Sequence, residues 1–151
     1  RPGLSLHGCG ATEEIAHQLH LKPTLTLKSS IISLRRVPSG TPVSYGRRYY
    51  TTKETTIATI PIGYGDGYFR CLTGRAECLI RGKRYNIVGT ICMDECMVDI
   101  GDDNLECGDE VILIGRQGNE VITANQLAEK CGTIPYEVLT AISARVPRVF
   151  I

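Results

Sequence analysis

From Thr24 the chain runs T-L-T-L-K-S-S-I-I-S-L-R-R-V before it reaches Pro38, Ser39 and Gly40. Alternation of apolar and polar residues, rich in β-branched side chains, is the period of a half-buried strand, and the Pro-Ser-Gly cluster is a turn signal. The same grammar recurs over residues 55–62, over 77–81 and 84–88 as a hairpin around Gly82 and Lys83, and over 91–100 and 110–114. Most of the chain is therefore committed to antiparallel β structure. Residues 11–21, with Ile15 and Leu19 at helical spacing, predict a short helix or a loop. After Gly118 the period changes: Thr123 and Gln126 have capping-box spacing, Leu127 and Cys131 follow, and Gly132 closes the helix. A second short helix is predicted from near Thr133, with Pro135 in its first turn, to about Ser143. The predicted fold is one β-rich barrel or sandwich of about 90 residues with two short helices near the C-terminus.

With 151 residues, 42% of them hydrophobic, such a domain can bury its own core without a metal or disulfide. Lys and Arg number 17 against 16 Asp and Glu, a net charge of +1 with no long run of like charge. Nucleic acid and acidic membranes are therefore unsupported as partners. The seven cysteines, at positions 9, 71, 78, 92, 96, 107 and 131, are odd in number and irregular in spacing, and no signal peptide or long apolar span accompanies them. That fits thiols in a reducing cytoplasm better than a secreted disulfide framework. Cys92 and Cys96 stand four apart with no second close pair, which reads as buried or half-buried thiols before a zinc site. The opening R-P-G-L-S-L-H-G has no initiator Met and reads as the tail of something upstream.

Three stretches concentrate polar chemistry. In P-V-S-Y-G-R-R-Y-Y, residues 42–50, Tyr45 sits on a Ser-Tyr-Gly turn before Arg47 and Arg48. A phenol there is packing material with its hydroxyl in water, or a base among cations. I-P-I-G-Y-G-D-G-Y, residues 60–68, ends a strand in glycines with Tyr64, Asp66 and Tyr68 between them, a hairpin turn or a polar lip. C-M-D-E-C-M-V-D-I, residues 92–100, carries Asp94, Glu95 and Asp99, acids of the kind that ligate metals; as a strand alternates faces, Asp94 and Glu95 are expected to point opposite ways.

Taken together in this order and spacing, S-Y-G (44–46), I-P-I-G-Y-G-D-G-Y (60–68), V-G-T-I-C-M-D (88–94) and G-T-I-P-Y-E (132–137) closely resemble the C-terminal domain of alanine racemases, and the opening R-P-G-L resembles the end of that family's (β/α)8 barrel. The resemblance covers essentially the whole chain. It implies a partly open β-barrel over residues 21–151, preceded in 1–20 by the remnant of the barrel's end. It also implies a pyridoxal 5′-phosphate enzyme that interconverts L- and D-alanine with two bases and supplies peptidoglycan precursors.

In that family a barrel lysine binds the cofactor and handles one face of the substrate Cα, while a tyrosine from the other subunit handles the opposite face. Tyr45 matches that tyrosine. A base on each side of a planar carbanion lets the centre invert without the substrate turning over. Arg1 matches the arginine facing the pyridine nitrogen, where its retained proton leaves that nitrogen unprotonated. Gly3 and Leu4 match positions whose backbone N–H groups contact the phosphate, and Tyr136 matches a phenol that bonds it. Met93 resembles the residue whose N–H holds the substrate carboxylate, with Asp94 flanking it, and Tyr64 and Arg70 resemble residues of the access corridor. Thr90 stands where many members carry an arginine in that corridor, and Arg47 and Arg48, where small or hydroxyl residues are common, are read as solvent or interface residues.

A homodimer follows, because Arg1 and Tyr136 serve the chain's own cofactor while Tyr45, Tyr64, Met93 and Asp94 reach the partner's. The isolated domain, lacking the lysine, is expected to be inactive. A racemase for serine or for several amino acids shares these motifs, and a non-catalytic β-barrel interaction module is the alternative of another class.

Overall fold

The computed structural model of the chain describes residues 3–10 and 12–150. Its strands are β1 (Leu27–Ser30), β2 (Ser33–Val37), β3 (Pro42–Val43), β4 (Tyr49–Tyr50), β5 (Thr55–Ile60), β6 (Glu77–Ile80), β7 (Lys83–Val88), β8 (Cys96–Gly101), β9 (Glu110–Gln117) and β10 (Glu120–Ile122). Helix α1 (Glu13–Gln18) precedes them, and α2 (Ala124–Cys131) and α3 (Pro135–Ala141) follow. The main sheet is antiparallel in the order β1-β9-β6-β7-β8-β5-β2, with β10 folded back onto the end of β9.

Only Ile31 and Ile32 separate β1 from β2, yet these strands are the two ends of that order. The sheet must therefore curl until its edges meet. Ile31 N–H donates to the Asp109 carbonyl just before β9, and Ile32 N–H donates to the Thr59 carbonyl on β5, each at 3.0 Å. This is the partly open barrel that the resemblance implied, closed at one corner by two residues of chain.

The core follows from strand period. On β8, Cys96, Val98 and Ile100 point inward while Met97 and Asp99 face out, whereas β9 buries Val111–Ile114 consecutively because both its faces are covered. Leu4 and Cys9 from the first residues join this same core. A separate small cluster of Val37, Val43, Ile57 and Val88, with Tyr49 and Met97 against it, lies under the β3–β4 ribbon. Tyr49 pins the ribbon further by donating to Asp99 at 2.7 Å, and burial, reinforced by that carboxylate, pushes its phenol up to about 12.

Helix α2 begins as its sequence predicts. Thr123 accepts from Gln126 N–H, the Gln126 side chain accepts from Thr123 N–H, both at 3.1 Å, and Gly132 ends the helix at φ 69. Pro135 opens α3.

Two expectations are corrected. The strand read over 91–100 starts only at Cys96, so Asp94 and Glu95 lie in a loop and strand alternation does not apply to them. The cysteines are not all thiols: Cys71, in the 3₁₀ turn Arg70–Leu72, and Cys131, the last residue of α2, form a disulfide with Cα atoms 5.5 Å apart. Cysteine spacing did not reveal it, because the partners are 60 positions apart in sequence.

Candidate functional site

Tyr45 stands at the tip of the β3–β4 ribbon in a 3₁₀ turn, Tyr45–Arg47, with 75% of its surface exposed. Its neighbours hold an unusual backbone: Ser44 has φ 64, Gly46 φ 75 and Arg47 φ 48. For the two non-glycine residues this left-handed conformation costs of order 1 kcal/mol or more each, so the surroundings must impose it. They do so through residues 89–92. Ser44 Oγ donates to the Thr90 carbonyl at 2.6 Å, and Thr90 Oγ1 donates to the Tyr45 carbonyl at 2.7 Å. Gly89 lets the strands come this close, since a Cβ on it would lie 2.8 Å from the Ser44 Cβ. Arg47 and Arg48 are exposed beside the turn.

The loop of residues 89–95 also holds the second phenol. Tyr64 opens the 3₁₀ turn Tyr64–Asp66, whose N–H groups reach across the loop: Tyr64 N–H donates to the Cys92 carbonyl at 3.0 Å and Gly65 N–H to the Met93 carbonyl at 2.9 Å. Gly63 is required for that approach, because a Cβ there would meet the Cys92 carbonyl oxygen at 2.2 Å. Asp66 caps the turn from below by accepting from Gly63 N–H at 2.9 Å. Ile91 N–H donates to Thr73 Oγ1 at 3.1 Å, which brings in the turn bearing Arg70.

These turns enclose an open cavity of about 550 Å³ lined by Tyr45, Tyr64, Arg70, Thr90, Met93 and Asp94, among others. All the residues that the resemblance assigns to the substrate side thus line one cavity, from three separate segments. Among the described residues, neither the Tyr45 nor the Tyr64 hydroxyl has a protein partner, nor does Met93 N–H, so each is available to a ligand. Thr90, by contrast, is 4% exposed and spends its hydroxyl on the Tyr45 backbone. Asp94 does not stand alone at the rim: Arg145 donates to it at 2.5 Å and reaches Asp66 at 3.3 Å. Asp94 first, then Asp66, raises the Arg145 guanidinium further above its usual range.

A second group lies elsewhere. Gly3 begins a 3₁₀ turn at φ 50, and a Cβ on it would stand 3.6 Å from the Tyr136 hydroxyl at the start of α3. The first N–H groups of such a turn have no intrahelical acceptor. The Tyr136 hydroxyl has no partner among the described residues, and its side chain is half exposed. Two backbone donors beside a half-exposed phenol fit the oxygens of a phosphate. The Leu4 side chain is core, which leaves only its backbone for such a contact. Neither Gly3, Leu4 nor Tyr136 lines the Tyr45 cavity. Arg1 lies outside the described residues.

Sequence reasoning missed Arg145, because S-A-R-V-P-R gives no sign that its first arginine has an acidic partner 51 residues upstream. It also gave no structural part to Ser44.

Residues 24–150 match the family described as "Alanine racemase, C-terminal domain". The alanine racemase of Carboxydothermus hydrogenoformans is 48% identical over the whole chain, which covers 42% of that relative, and that of Thermodesulfovibrio yellowstonii is 47% identical with 40% covered. Among solved structures, alanine racemase from Streptomyces coelicolor superposes with a TM-score of 0.95 at 39% identity, over 100% of this chain and 40% of that one. The Bacillus anthracis enzyme with bound L-Ala-P gives 0.91 at 42% identity, over 99% and 39%. The chain thus spans about two fifths of the length of these relatives.

Proposed function

The chain belongs to the alanine racemase C-terminal domain family, and on that premise we propose that it is the part of a homodimeric, pyridoxal phosphate-dependent racemase that carries one of two catalytic bases to the neighbouring subunit's site. The substrates are L- and D-alanine, the place of action is the cytoplasm, and the product supplies peptidoglycan precursors. Residues 1–20 are the closing piece of the cofactor-binding barrel, and without that barrel's lysine the present chain is inactive.

The observation that carries this reading is the convergence of Tyr45, Tyr64, Met93 and Asp94 on one open cavity, the Tyr45 phenol having no partner among the described residues. Pyridoxal phosphate, when bound, supplies the electron sink that makes a substrate Cα–H acidic. Tyr45 Oη takes that proton from L-alanine and returns one to the same face in the reverse direction. A phenol with a reference pKa near 10 needs nearby cations or donors to act as a base at neutral pH, and these belong to the barrel. Met93 N–H donates to the substrate carboxylate. Asp94, neutralised by Arg145, leaves that anion unopposed. Tyr64 and Arg70 line the approach. Gly3 and Leu4 N–H and the Tyr136 hydroxyl would hold the phosphate in the chain's own subunit, and Arg1, by its match in sequence alone, would serve the ring nitrogen.

In the full-length enzyme, Tyr45→Phe is expected to slow Cα proton exchange from L-alanine by about 10²-fold or more, with the cofactor's absorbance unchanged. Loss of the cofactor with an unaltered exchange rate would contradict the role.

A further inference from the structure

We propose that Thr90 is a positioning residue for the reaction: its buried hydroxyl fixes the turn that aims the Tyr45 phenol. The inference rests on the reading of Tyr45 as a base. Tyr45 is anchored only through its backbone, since its ring is 75% exposed and its hydroxyl has no partner among the described residues. The backbone on either side is in a conformation that Ser44 (φ 64) and Arg47 (φ 48) do not adopt readily. What holds it is a crossed pair of hydrogen bonds to one residue. Thr90 Oγ1 donates to the Tyr45 carbonyl at 2.7 Å, while the Thr90 carbonyl accepts from Ser44 Oγ at 2.6 Å. Thr90 cannot easily turn to another partner, being 4% exposed and followed by Ile91, whose N–H is held by Thr73.

The same loop carries Met93, and its Cys92 and Met93 carbonyls hold the Tyr64 turn. Thr90 therefore sets the Tyr45 turn against the element that presents the other substrate-side groups. Proton transfer is steep in distance, so a turn that relaxes by a fraction of an ångström slows the Tyr45 step while leaving binding almost intact.

The test uses the full-length holoenzyme. Thr90→Val keeps the shape and removes the donor; kcat/KM should fall about tenfold, as the loss of one buried hydrogen bond allows. At fixed equilibrium the fall is equal in both directions, so the decisive readout is the isotope effect of Cα-deuterated alanine. It should rise from the L side, where Tyr45 breaks the bond, and fall from the D side. Cofactor absorbance and melting temperature report that the fold is intact. Thr90→Ser should recover most of the rate, and Ser44→Ala, which opens the other half of the crossed pair, should repeat the Val signature if the Val variant folds poorly. Wild-type isotope effects in folded Thr90→Val and Ser44→Ala, alongside an altered Tyr45→Phe, overturn the positioning role alone. Wild-type isotope effects in Tyr45→Phe overturn the reading on which it rests.

Discussion

The Arg145 guanidinium is shared by Asp94, on the loop that presents Met93, and Asp66, which caps the Tyr64 turn. Exposed ion pairs contribute little to stability, and this one is half exposed. Its importance is local charge. With Arg145→Ala, Asp94 becomes an uncompensated anion beside the N–H proposed to receive the substrate carboxylate. In the full-length enzyme KM for alanine should rise several-fold with a smaller change in kcat, and added salt should narrow the difference by screening. An equal fall in kcat with KM unchanged would place Arg145 in the chemistry instead. Among single residues, Tyr45, Tyr64 and Met93 were legible because short glycine-bearing motifs surround them. Arg145 and Ser44 were not, because their parts depend on partners 51 and 46 residues away that no local pattern encodes.

At the level of elements, what the sequence made plain was whatever is local. The hairpin of β6 and β7, the capping box of α2 and the proline at the start of α3 all follow from a few adjacent residues. The strand expected over 91–100 begins only at Cys96, because Cys92 N–H closes a turn onto the Glu95 carbonyl at 2.9 Å that the unbroken run of side chains from Ile91 to Ile100 does not announce. β10 is too short to carry a period of its own and exists as the return of β9. The core strands also carry titratable groups that make folding sensitive to alkali. Burial, foremost, pushes the Cys78 thiol on β6 from 9.0 up to about 12, and the Tyr49 phenol on β4 from 10.0 up to about 12. Both folded values lie above the unfolded ones, so their contributions are complete below pH 9 and pH 10 respectively and are lost as pH rises toward 12. Urea titrations should show stability falling above pH 9, and Cys78→Ala should remove about 1.4 kcal/mol per pH unit of that slope. An unchanged slope in Cys78→Ala would mean that the thiol is solvated in the folded state.

For the whole molecule, the two groups of site residues do not share a cavity. Tyr45, Tyr64, Met93 and Asp94 line one cavity, while Gly3 and Tyr136 meet beyond it. The roles proposed above, a phosphate at the second group and a proton acceptor at the first, meet at one substrate if two copies related by a two-fold axis exchange surfaces. No pattern along the chain announces such an exchange, because it is a property of assembly; the motifs imply it only through resemblance. It can be tested by subunit complementation in the full-length enzyme, combining Tyr45→Phe with a variant lacking the barrel's cofactor-binding lysine. Each parent retains about a hundredth of wild-type activity or less, and if Tyr45 acts across the interface, random mixing gives hybrid dimers with one intact site and restores roughly a quarter of wild-type activity. If Tyr45 serves its own subunit's cofactor, no hybrid contains an intact site and the mixture stays at the level of its parents.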